Sequence, residues 1–588
     1  MRAWTTGMLS SRRATVVAVI VGVVLALPAV WTGRVGDDYY HRAILLGVGA
    51  VGQDREPILD FFTLMPSGEA QEPLMEAGLV TWWADRGVKV SLFRPVAVLT
   101  HLLDHALWGD TFWLHHLHSL FWYGLLIWMV GRVYQRVHGA GLVAGVAVLL
   151  FAMEDAHAMP AGWVANRHAL ISGVLGLTAL LCHVRWRAGR GVWWLGGACV
   201  SLTVGLLAGE AALGAAAYLV AWQLAMDGGP WKHRVLALVP YGVLVGLWRL
   251  VYDGLGYGTS ATGLYIDPGQ HPFRFLEAVV QRWPVLMAGQ WLQAPVDLVL
   301  MLPTPWVPVL TVVSVAAAVG IAVLLYPVLA TRREARFWGT GMVLSLIPLC
   351  AAFPMDRLLL FCGIGAFPLL VMALVEAYRP ERTDGRRGMG RRSLLGGLLV
   401  LHGPLAGLTL AARTGTLAVL FGSLFALGAR TAPADSAVPE QTFLFVNGQE
   451  FPVTYLQIIR QVEGDAPAPR RIGLLSSISR EVEILREDDR TLVLTPEAGF
   501  LKDPIDWLLR DPASPFEAGE TVRCPDFEAT VREVTSDGRP ARVAFRFTHS
   551  LEDRRYRWLH WSREGARPFA LPAPGEAVRL PAVSLLPW

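Results

Sequence analysis

Two adjacent carboxylates are the clearest candidates for chemistry in this sequence. Asp37 and Asp38 lie in the run GDDYYH, 36–41, directly after the first long apolar stretch, 15–33. A carboxylate at a membrane surface can act as a general base, and a carboxylate pair can hold a cation that binds a phosphate or diphosphate group. The alternative is that the pair only begins a solvated loop. Its position directly after the first apolar stretch favours the chemical interpretation.

A second group of charged residues follows the apolar run 139–153. The segment MEDAH carries Glu154, Asp155 and His157, and the segment WVANRH after it carries Arg167. A guanidinium near a membrane is costly unless it is paired, and it can grip a phosphate through two parallel hydrogen bonds. We therefore expect Arg167 either to bind a substrate phosphate or to form a salt bridge with Glu154 or Asp155 that orders the loop.

Glu210 and the pair Asp356-Arg357 are also placed at the ends of apolar runs. Glu210 lies alone between the runs 191–208 and 211–226. Asp356 directly precedes the run 357–378, and Arg357 is its first residue. An isolated ionisable residue in such surroundings is a functional candidate by default. The alternative for each is a residue in a surface turn. We predict that Glu210 and Arg357 belong to the set that binds substrate or donor phosphate, together with Arg167, Glu154, Asp155 and His157.

The histidines give a weaker signal. His101 and His105 are spaced as i and i+4, and three more histidines follow at 115, 116 and 118. Two histidines on one helix face could bind a metal, but the glutamate that metalloproteases place between them is missing. Packing against the nearby tryptophans is the favoured interpretation. We predict no protein metal site here, although a divalent cation such as Mg or Mn could take part in the reaction.

The composition of the chain defines the elements that must position these residues. Its 588 residues are 53% hydrophobic and only 17% charged, which excludes a soluble cytosolic enzyme and a disordered chain. Five cysteines provide no disulfide framework. The net charge of +3 is too small to indicate a nucleic-acid partner. Apolar runs long enough to span a bilayer predict a multi-pass α-helical membrane protein of about 11 to 13 spans, at 15–33, 112–131, 139–153, 164–184, 191–208, 211–226, 235–252, 283–302, 306–330, 337–353, 357–378, 394–412 and 414–430.

The basic residues between these runs predict the topology. Arginine clusters lie at 12–13, 132–136, 185–190, 332–336 and 379–392, and the positive-inside rule places them in the cytoplasm. All of them fit if the polar segment 281–303 is interfacial or re-entrant. The acidic residues then collect on the extracytoplasmic face, in a large first loop, 34–111, and at the ends of several spans. This arrangement indicates an active face outside the cytoplasmic membrane.

The end of the chain has a different composition. Residues 436–588 hold 42 of the 99 charged residues, and alternating β-branched runs there predict a small β-rich soluble domain, a barrel or sandwich. We expect a membrane domain at 1–430, a linker at 431–440 and the soluble domain at 441–588. The soluble domain is cytoplasmic if both 394–412 and 414–430 cross the membrane, and extracytoplasmic if 414–430 lies along its surface.

In this order the features resemble the GT-C superfamily of membrane glycosyltransferases. The chain is similar above all to the protein O-mannosyltransferases and to the transmembrane, TPR-containing O-mannosyltransferases, although it has no TPR repeats. The resemblance covers roughly 15–378. Its segments are GDDYYH, FRPVAVLTHLLDHALWGDTFWLHHLHSLFWYGLLIWMVGRVYQR, AMPAGWVANRHALISGVLGLTALL, AGEAALGAAAYLVAWQL and MDRLLLFCGIGAF. Two positions depart from the family pattern: Met159, where the family commonly has glutamate, and Gly209, where it often has lysine.

The resemblance implies a glycosyltransferase of the hexosyl- or mannosyl-transferring type in a bacterial cytoplasmic (inner) membrane. Its donor would be a polyprenyl-phosphate sugar, its partners membrane lipid and a protein or glycan acceptor, and its soluble domain would lie outside the cytoplasm. The resemblance assigns the catalytic base to Asp37 or Asp38 and matches the family's further motif positions to Arg167, Glu210 and Asp356-Arg357. Two alternatives stay open: a transporter or flippase of a lipid-linked or anionic substrate, and a non-catalytic protein on the same scaffold.

Overall fold

The computed structural model describes residues 13–302, 304–378, 386–417, 422–477 and 479–583. Parts of three predicted features lie outside the described residues: Arg12 of the first basic cluster, 379–385 of the last basic cluster, and 418–421 of the last apolar run. The chain forms two compact units, which are described separately. The first comprises Met1–Gly33, Phe93–Tyr257 and Asp267–Ala418, and the second comprises Arg34–Leu92, Gly258–Ile266 and Val419–Trp588.

The first unit is helical, as its apolar runs predict. Its α-helices are Ala14–Ala26, Pro95–Trp108, Phe112–His138, Leu142–Met153, Ala158–Gly162, Arg167–Arg187, Trp193–Ala208, Leu213–Ala225, Trp231–Leu236, Val239–Gly254, Pro272–Leu292, Val307–Thr331, Arg333–Ser345, Leu360–Ala377, Arg386–Val400 and Ala406–Thr416. Short 3-10 turns connect several of them. The helix Leu360–Ala377 is almost entirely buried, whereas Val307–Thr331 exposes most of its side chains, as expected for a central helix and a lipid-facing helix.

Six helical segments in the described part of the chain are long and apolar enough to cross a membrane: Ala14–Trp31, Val164–Arg187, Trp231–Gly254, Val307–Thr331, Leu360–Ala377 and Gly388–Thr416. A seventh arises if Leu142–Met153 and Asp155–Gly162, which meet at a bend of 50°, form one broken span. This number is lower than the 11 to 13 predicted runs, because several runs fold as shorter helices. The run 337–353, for example, becomes the helix Arg333–Ser345 followed by a 3-10 turn at Pro348–Ala351.

The polar segment 281–303 does not form one continuous helix. The helix Pro272–Leu292 ends at Gln293, whose φ of +49° lies in the left-handed region. A 3-10 turn, Val296–Met301, follows. The chain therefore changes direction after Gln293. Gln293 and Asp297 on either side of this turn contribute to two polar networks, which are described below.

Glycines allow the closest helix approaches inside the first unit. A Cβ atom added at Gly341 would lie 2.2 Å from the ring of Tyr218, and one added at Gly365 would lie 2.8 Å from its hydroxyl oxygen. The Tyr218 hydroxyl donates a hydrogen bond of 2.8 Å to the carbonyl oxygen of Phe361. Small residues at such crossings bring backbones together in membrane helices, and here they make room for a buried phenol.

The second unit combines short helices with thirteen strands in its described residues. Its α-helices are Asp37–Leu46, Gly49–Gly52, Pro57–Asp60, Glu72–Ala77, Ser423–Thr431 and Glu450–Glu463. Its strands are β1 Thr63–Met65, β2 Lys89–Ser91, β3 Gly258–Ser260, β4 Thr442–Phe445, β5 Arg471–Leu474, β6 Val482–Arg486, β7 Thr491–Pro496, β8 Thr521–Arg523, β9 Phe527–Val534, β10 Pro540–Phe547, β11 Tyr556–Ser562, β12 Gly565–Pro568 and β13 Ala577–Leu580.

These strands form three sheets. The order β1-β2-β3 is a small antiparallel sheet, β13-β6-β7-β10-β9-β8 is a larger antiparallel one, and β12-β11-β4-β5 is mixed. In the mixed sheet β4 pairs in parallel with β11 and with β5. The helix Glu450–Glu463 connects β4 to β5, as parallel neighbours require. The segment SDGRP, 536–540, joins β9 to β10, which are antiparallel neighbours.

The second unit joins segments that the sequence placed in separate regions. Residues 34–92 and 258–266, from two predicted extracytoplasmic loops, pack with the C-terminal region. Trp82 lies 5.5 to 5.9 Å, centroid to centroid, from Phe500, Phe516 and Phe545. The helix Ser423–Thr431, from the last predicted apolar run, also belongs to this unit. The compact units therefore divide the chain differently from the predicted boundaries at 430 and 440.

A buried carboxyl group makes the stability of the second unit depend on pH. Asp506 is 4% exposed, and burial, reinforced by the Asp503 carboxylate, raises its pKa to about 7. An aspartate in an unfolded chain titrates near about 4, so the folded state binds this proton more tightly. The free energy of unfolding should therefore fall as pH rises from about 4 to 7. We expect Asp506→Asn to raise the thermal midpoint at pH 8 and to weaken this pH dependence.

Thermal unfolding of the purified protein at pH 5 and pH 8 measures both effects. Asp489→Asn is the matched control, since that side chain is 68% exposed and its replacement should change neither midpoint. An unchanged pH dependence in Asp506→Asn would contradict the burial argument.

Candidate functional site

Asp37 and Asp38 begin the helix Asp37–Leu46 in the second unit. Gly36 precedes them with a φ of +50°, a conformation that favours glycine. Asp38 is 4% exposed, and its Oδ2 accepts a hydrogen bond of 3.0 Å from the backbone nitrogen of Val35. Asp37 is half-buried and its Oδ1 accepts a hydrogen bond of 2.9 Å from the Tyr455 hydroxyl. Asp38 thus fixes the turn, and Asp37 is the more accessible carboxylate.

Arg167 is fully buried at the start of its helix in the first unit. Its Nη1 lies 2.6 Å from Asp104 Oδ2, its Nε donates to Ser119 Oγ at 2.9 Å, and its Nη2 donates to the carbonyl oxygen of His115 at 2.8 Å. Of the two interpretations of Arg167, the structure favours the salt bridge. The partner is Asp104, however, instead of Glu154 or Asp155, and no part of the guanidinium is exposed to a phosphate.

His118 completes the surroundings of Asp104. Its Nδ1 lies 2.5 Å from Asp104 Oδ1, and its Nε2 accepts a hydrogen bond of 3.0 Å from Trp122 Nε1. Because Nε2 accepts, the ring proton lies on Nδ1 and is donated to the carboxylate. His115 also belongs to this network, since its Nδ1 lies 3.8 Å from Asp104 Oδ2. Two of the five predicted packing histidines are therefore part of a largely buried Asp–Arg–His network.

Glu210 is bound by a second arginine of the first unit. Arg94 Nε and Nη2 both donate to Glu210 Oε2, at 2.9 and 2.8 Å. The Tyr252 hydroxyl lies 3.3 Å from Oε1. The Glu210 side chain is still 28% exposed. Glu210 is therefore paired with an arginine but is not fully buried by it. Its exposed carboxylate surface could accept a hydrogen bond from a substrate hydroxyl.

Asp155 and Asp356 come together on an arginine that the sequence analysis did not single out. Arg413 lies 3.0 Å from Asp155 Oδ2, 3.1 Å from Asp297 Oδ2 and 2.6 Å from Asp356 Oδ2. Asp356 Oδ1 also accepts a hydrogen bond of 3.0 Å from the backbone nitrogen of Val296. Three carboxylates from three separate segments thus share a single guanidinium, which leaves this arginine cluster with a formal charge of −2.

Glu154 forms a neighbouring network that is almost completely buried. It accepts hydrogen bonds from Gln290 Nε2 at 3.0 Å and Gln293 Nε2 at 3.3 Å, and it lies 3.3 Å from His402 Nδ1. His402 belongs to a one-turn π-helix, Leu401–Leu405, beside a kink at Gly403. His157 lies apart from this set and contacts the Tyr123 hydroxyl at 3.3 Å. The side chains of the adjacent residues Glu154 and Asp155 therefore belong to two different networks.

Arg357 is half-buried and differs from the other arginines of the site. Its guanidinium carbon lies 5.8 Å from the centre of the Trp163 ring. In the part of the chain that the structure describes, no carboxylate lies within 4 Å of it, and its Nε has no hydrogen-bond partner. It is the predicted phosphate ligand whose charge is least compensated.

The described residues contain no group of three or more histidine, cysteine, aspartate or glutamate side chains arranged to hold a metal ion. Asp155, Asp297 and Asp356 have the oxygen donors that Mg²⁺ prefers. Their shared position, however, is filled by Arg413. One of the three negative charges is therefore compensated by a side chain of the protein itself.

Sequence reasoning missed several residues that build these networks. Arg413 follows the predicted run 394–412 as an isolated arginine, so the argument applied to Glu210 could have found it. Asp104 lies between His101 and His105, and the sequence alone gives it no role of its own. Arg94, Tyr252 and Tyr455 carry no sequence signal, since arginine and tyrosine are ordinary at such positions and only the tertiary structure gives them a carboxylate partner.

Comparison with known proteins gives matches to solved structures alone. No family model and no curated protein sequence matches the chain. The crystal structure of ArnT from Cupriavidus metallidurans bound to undecaprenyl phosphate matches at 14% identity, over 75% of this chain and 84% of that chain, with a TM-score of 0.35. ArnT in the apo state matches at 14% identity, over 77% and 88%, with a TM-score of 0.38.

A third match is the oligosaccharyltransferase of Archaeoglobus fulgidus, tethered with an acceptor peptide containing the NVT sequon. It has 12% identity over 79% of this chain and 64% of that chain, with a TM-score of 0.39. All three TM-scores lie below 0.5. Among the described residues, Asp37 is the more accessible carboxylate of its pair, and Arg357 has no carboxylate within 4 Å.

Proposed function

We propose that this chain is an integral membrane glycosyltransferase of the GT-C superfamily. It transfers a sugar of the hexose or mannose type from a polyprenyl-phosphate donor to a protein, glycan or lipid acceptor. The reaction takes place at the extracytoplasmic face of a bacterial cytoplasmic membrane. The observation that carries the proposal is the half-buried Asp37, hydrogen-bonded by a phenol, at the start of the helix that follows the first apolar span.

The acceptor side of the reaction needs a base. Sugar transfer with inversion requires that the acceptor hydroxyl lose its proton as it attacks, and a carboxylate within hydrogen-bond reach serves this role. Asp37 has the required accessibility, whereas Asp38 is used by the backbone of Val35. We therefore assign the base to Asp37.

The donor side needs positive charge, because a phosphate leaves with the electrons of the broken sugar bond. Arg357 is suited to bind it, since its guanidinium is half-buried beside Trp163 and has no carboxylate partner within 4 Å among the described residues. Arg167, Glu154, Asp155 and His157 support the surrounding structure. Glu210 keeps an exposed edge for a sugar or acceptor hydroxyl.

The predicted face of the reaction follows from the grouping of segments. Residues 34–92 and the C-terminal region belong to one compact unit, which supports a common side of the membrane for both. The arginine pattern of the sequence assigns the first of these segments to the extracytoplasmic side. The C-terminal region is then extracytoplasmic as well.

A transfer assay tests the proposal. Membranes containing the protein are incubated with a polyprenyl-phosphate sugar labelled in the sugar, and label in protein, glycan and lipid fractions is compared with membranes that lack the protein. We expect label to leave the donor only when the protein is present. If no lipid-linked sugar is consumed over a panel of sugars, the chain is not a glycosyltransferase of this kind.

One observation favours a second function, a transporter or flippase for a lipid-linked or anionic substrate. Transporters place ionisable groups on broken helices within the membrane. Glu154 lies at the 50° bend after Met153, and its partner His402 lies beside the kink at Gly403. In this case proteoliposomes would move a labelled lipid-linked substrate across the bilayer without cleaving it. If the protein shows no sugar transfer and no transport, we infer that it is a non-catalytic protein on the same scaffold.

A further inference from the structure

Tyr455 connects the C-terminal region to the proposed base. Its hydroxyl donates a hydrogen bond of 2.9 Å to Asp37 Oδ1. Both residues belong to the second unit, so the contact lies within one compact body. A hydroxyl that donates to a carboxylate holds it in one orientation and favours its ionised form. The ionised form is the one that can accept a proton from an acceptor hydroxyl.

Aromatic packing fixes the position of this phenol. The Tyr455 ring meets Phe425 edge to face, with centroids 5.1 Å apart and an interplanar angle of 83°. Phe451 lies 6.4 Å away on the same helix. Phe425 also closes the space beside Gly36, where an added Cβ atom would lie 3.5 Å from its ring. One ring therefore supports both the phenol and the turn that presents Asp37.

A second hydrogen bond anchors the same two helices. The Tyr39 hydroxyl, on the helix of Asp37, donates to Glu463 Oε1 at 2.7 Å. Glu463 is the last residue of the helix that carries Tyr455. The helix Glu450–Glu463 is thus held against Asp37–Leu46 at two points separated by eight residues, and only one of these points contacts Asp37.

We propose that Tyr455 is a positioning residue for Asp37, and that the C-terminal region is consequently part of the machinery for sugar transfer. This inference rests on the proposed function, in which Asp37 is the base. Burial and the Asp37 carboxylate raise the pKa of Tyr455 well above its usual value. The phenol therefore keeps its proton and acts only as a donor to Asp37.

Other titratable groups lie near the Tyr455 hydroxyl. Asp38 and Tyr40 lie on the helix of Asp37 and act electrostatically on Tyr455, as Asp37 does. Tyr40 is influenced in turn by Arg55, Asp37 and Asp60, and burial raises its pKa to about 12. Neither Tyr455 nor Tyr40 changes charge near neutral pH. A shift in the pH profile caused by removal of the Tyr455 hydroxyl would thus report on the carboxylates.

The test compares Tyr455→Phe with the wild type in the transfer assay, as a function of pH and donor concentration. We expect kcat to fall about 10-fold, because a hydrogen bond to a charged group is lost, with little change in KM for the donor. We expect the acidic limb of the kcat profile to move upward by about one pH unit, because the donor no longer favours the ionised carboxylate. Tyr39→Phe removes only the bond to Glu463 and should leave the profile unchanged.

Two further variants separate positioning from folding. Phe425→Leu weakens the packing around the phenol but keeps its hydroxyl, so its pH profile should shift less than that of Tyr455→Phe. In an Asp37→Asn background Tyr455→Phe should have no additional effect on kcat. Equal rates and profiles in Tyr455→Phe and the wild type, or an equal shift in Phe425→Leu, would overturn the inference while wild-type transfer continues. Absence of transfer by the wild type would instead remove the proposed function itself.

Discussion

Replacing Arg413 by methionine should destabilise the first unit more than any other single substitution in the arginine cluster. The change leaves Asp155, Asp297 and Asp356 without their shared cation, and Arg413 is only 23% exposed. Breaking a buried ion pair by removing one partner destabilises by roughly 3–5 kcal/mol. For a unit of this size that corresponds to roughly 4–7 °C in thermal midpoint. The midpoint of the purified protein in detergent measures the effect.

Removing one of the carboxylates instead of the arginine should change the thermal midpoint only a little. Asp297 is the most exposed of the three carboxylates, at 29%, and the cluster carries a formal charge of −2. Asp297→Asn removes one negative charge and should leave the midpoint within about 3 °C of the wild type. Arg413→Lys keeps the charge but loses the forked geometry, so it should fall between the two. If Arg413→Met and Asp297→Asn were equally destabilising, the arginine would not be compensating the carboxylates.

The sequence predicts the parts of this fold that depend on local pattern. The apolar runs locate the helices of the first unit, and the alternating β-branched runs near the end of the chain indicate the strands found there. Each of these follows from hydrophobic periodicity or turn chemistry over fewer than about 25 residues. The residues that could do chemistry were found in the same way, because isolated charges stand out in apolar surroundings.

Partners and groupings could not be predicted, because they depend on contacts between distant segments. Asp104 pairs with Arg167 across 63 residues, and Tyr455 reaches Asp37 across 418 residues. Residues 34–92 look like a loop because they are polar and acidic, but their buried tryptophan and tyrosine side chains belong to the core of the second unit. A single sequence shows which residues are charged, but it does not show which residue each of them contacts in the folded protein.

The largest effect on activity should come from Asp37→Asn. Asparagine has nearly the same shape and can still accept the hydrogen bond from Tyr455, but it cannot take a proton from an acceptor hydroxyl. General base catalysis by a positioned side chain contributes about 10²–10⁴-fold, so the rate of sugar transfer should fall by that factor. The KM for the lipid donor should change little, since Asp37 acts on the acceptor. Initial rates with the labelled polyprenyl-phosphate sugar measure both quantities.

Two neighbouring substitutions make this result specific. Asp54→Asn removes an exposed acid from the same segment and should leave transfer and stability unchanged. Asp38→Asn perturbs the carboxylate that accepts from Val35, so it should lower the thermal midpoint while transfer per folded molecule falls only a few-fold. If Asp38→Asn abolished transfer and Asp37→Asn did not, the assignment of the base to Asp37 would be wrong. The base would then be the buried member of the pair, and substrate would have to displace its bond to the backbone.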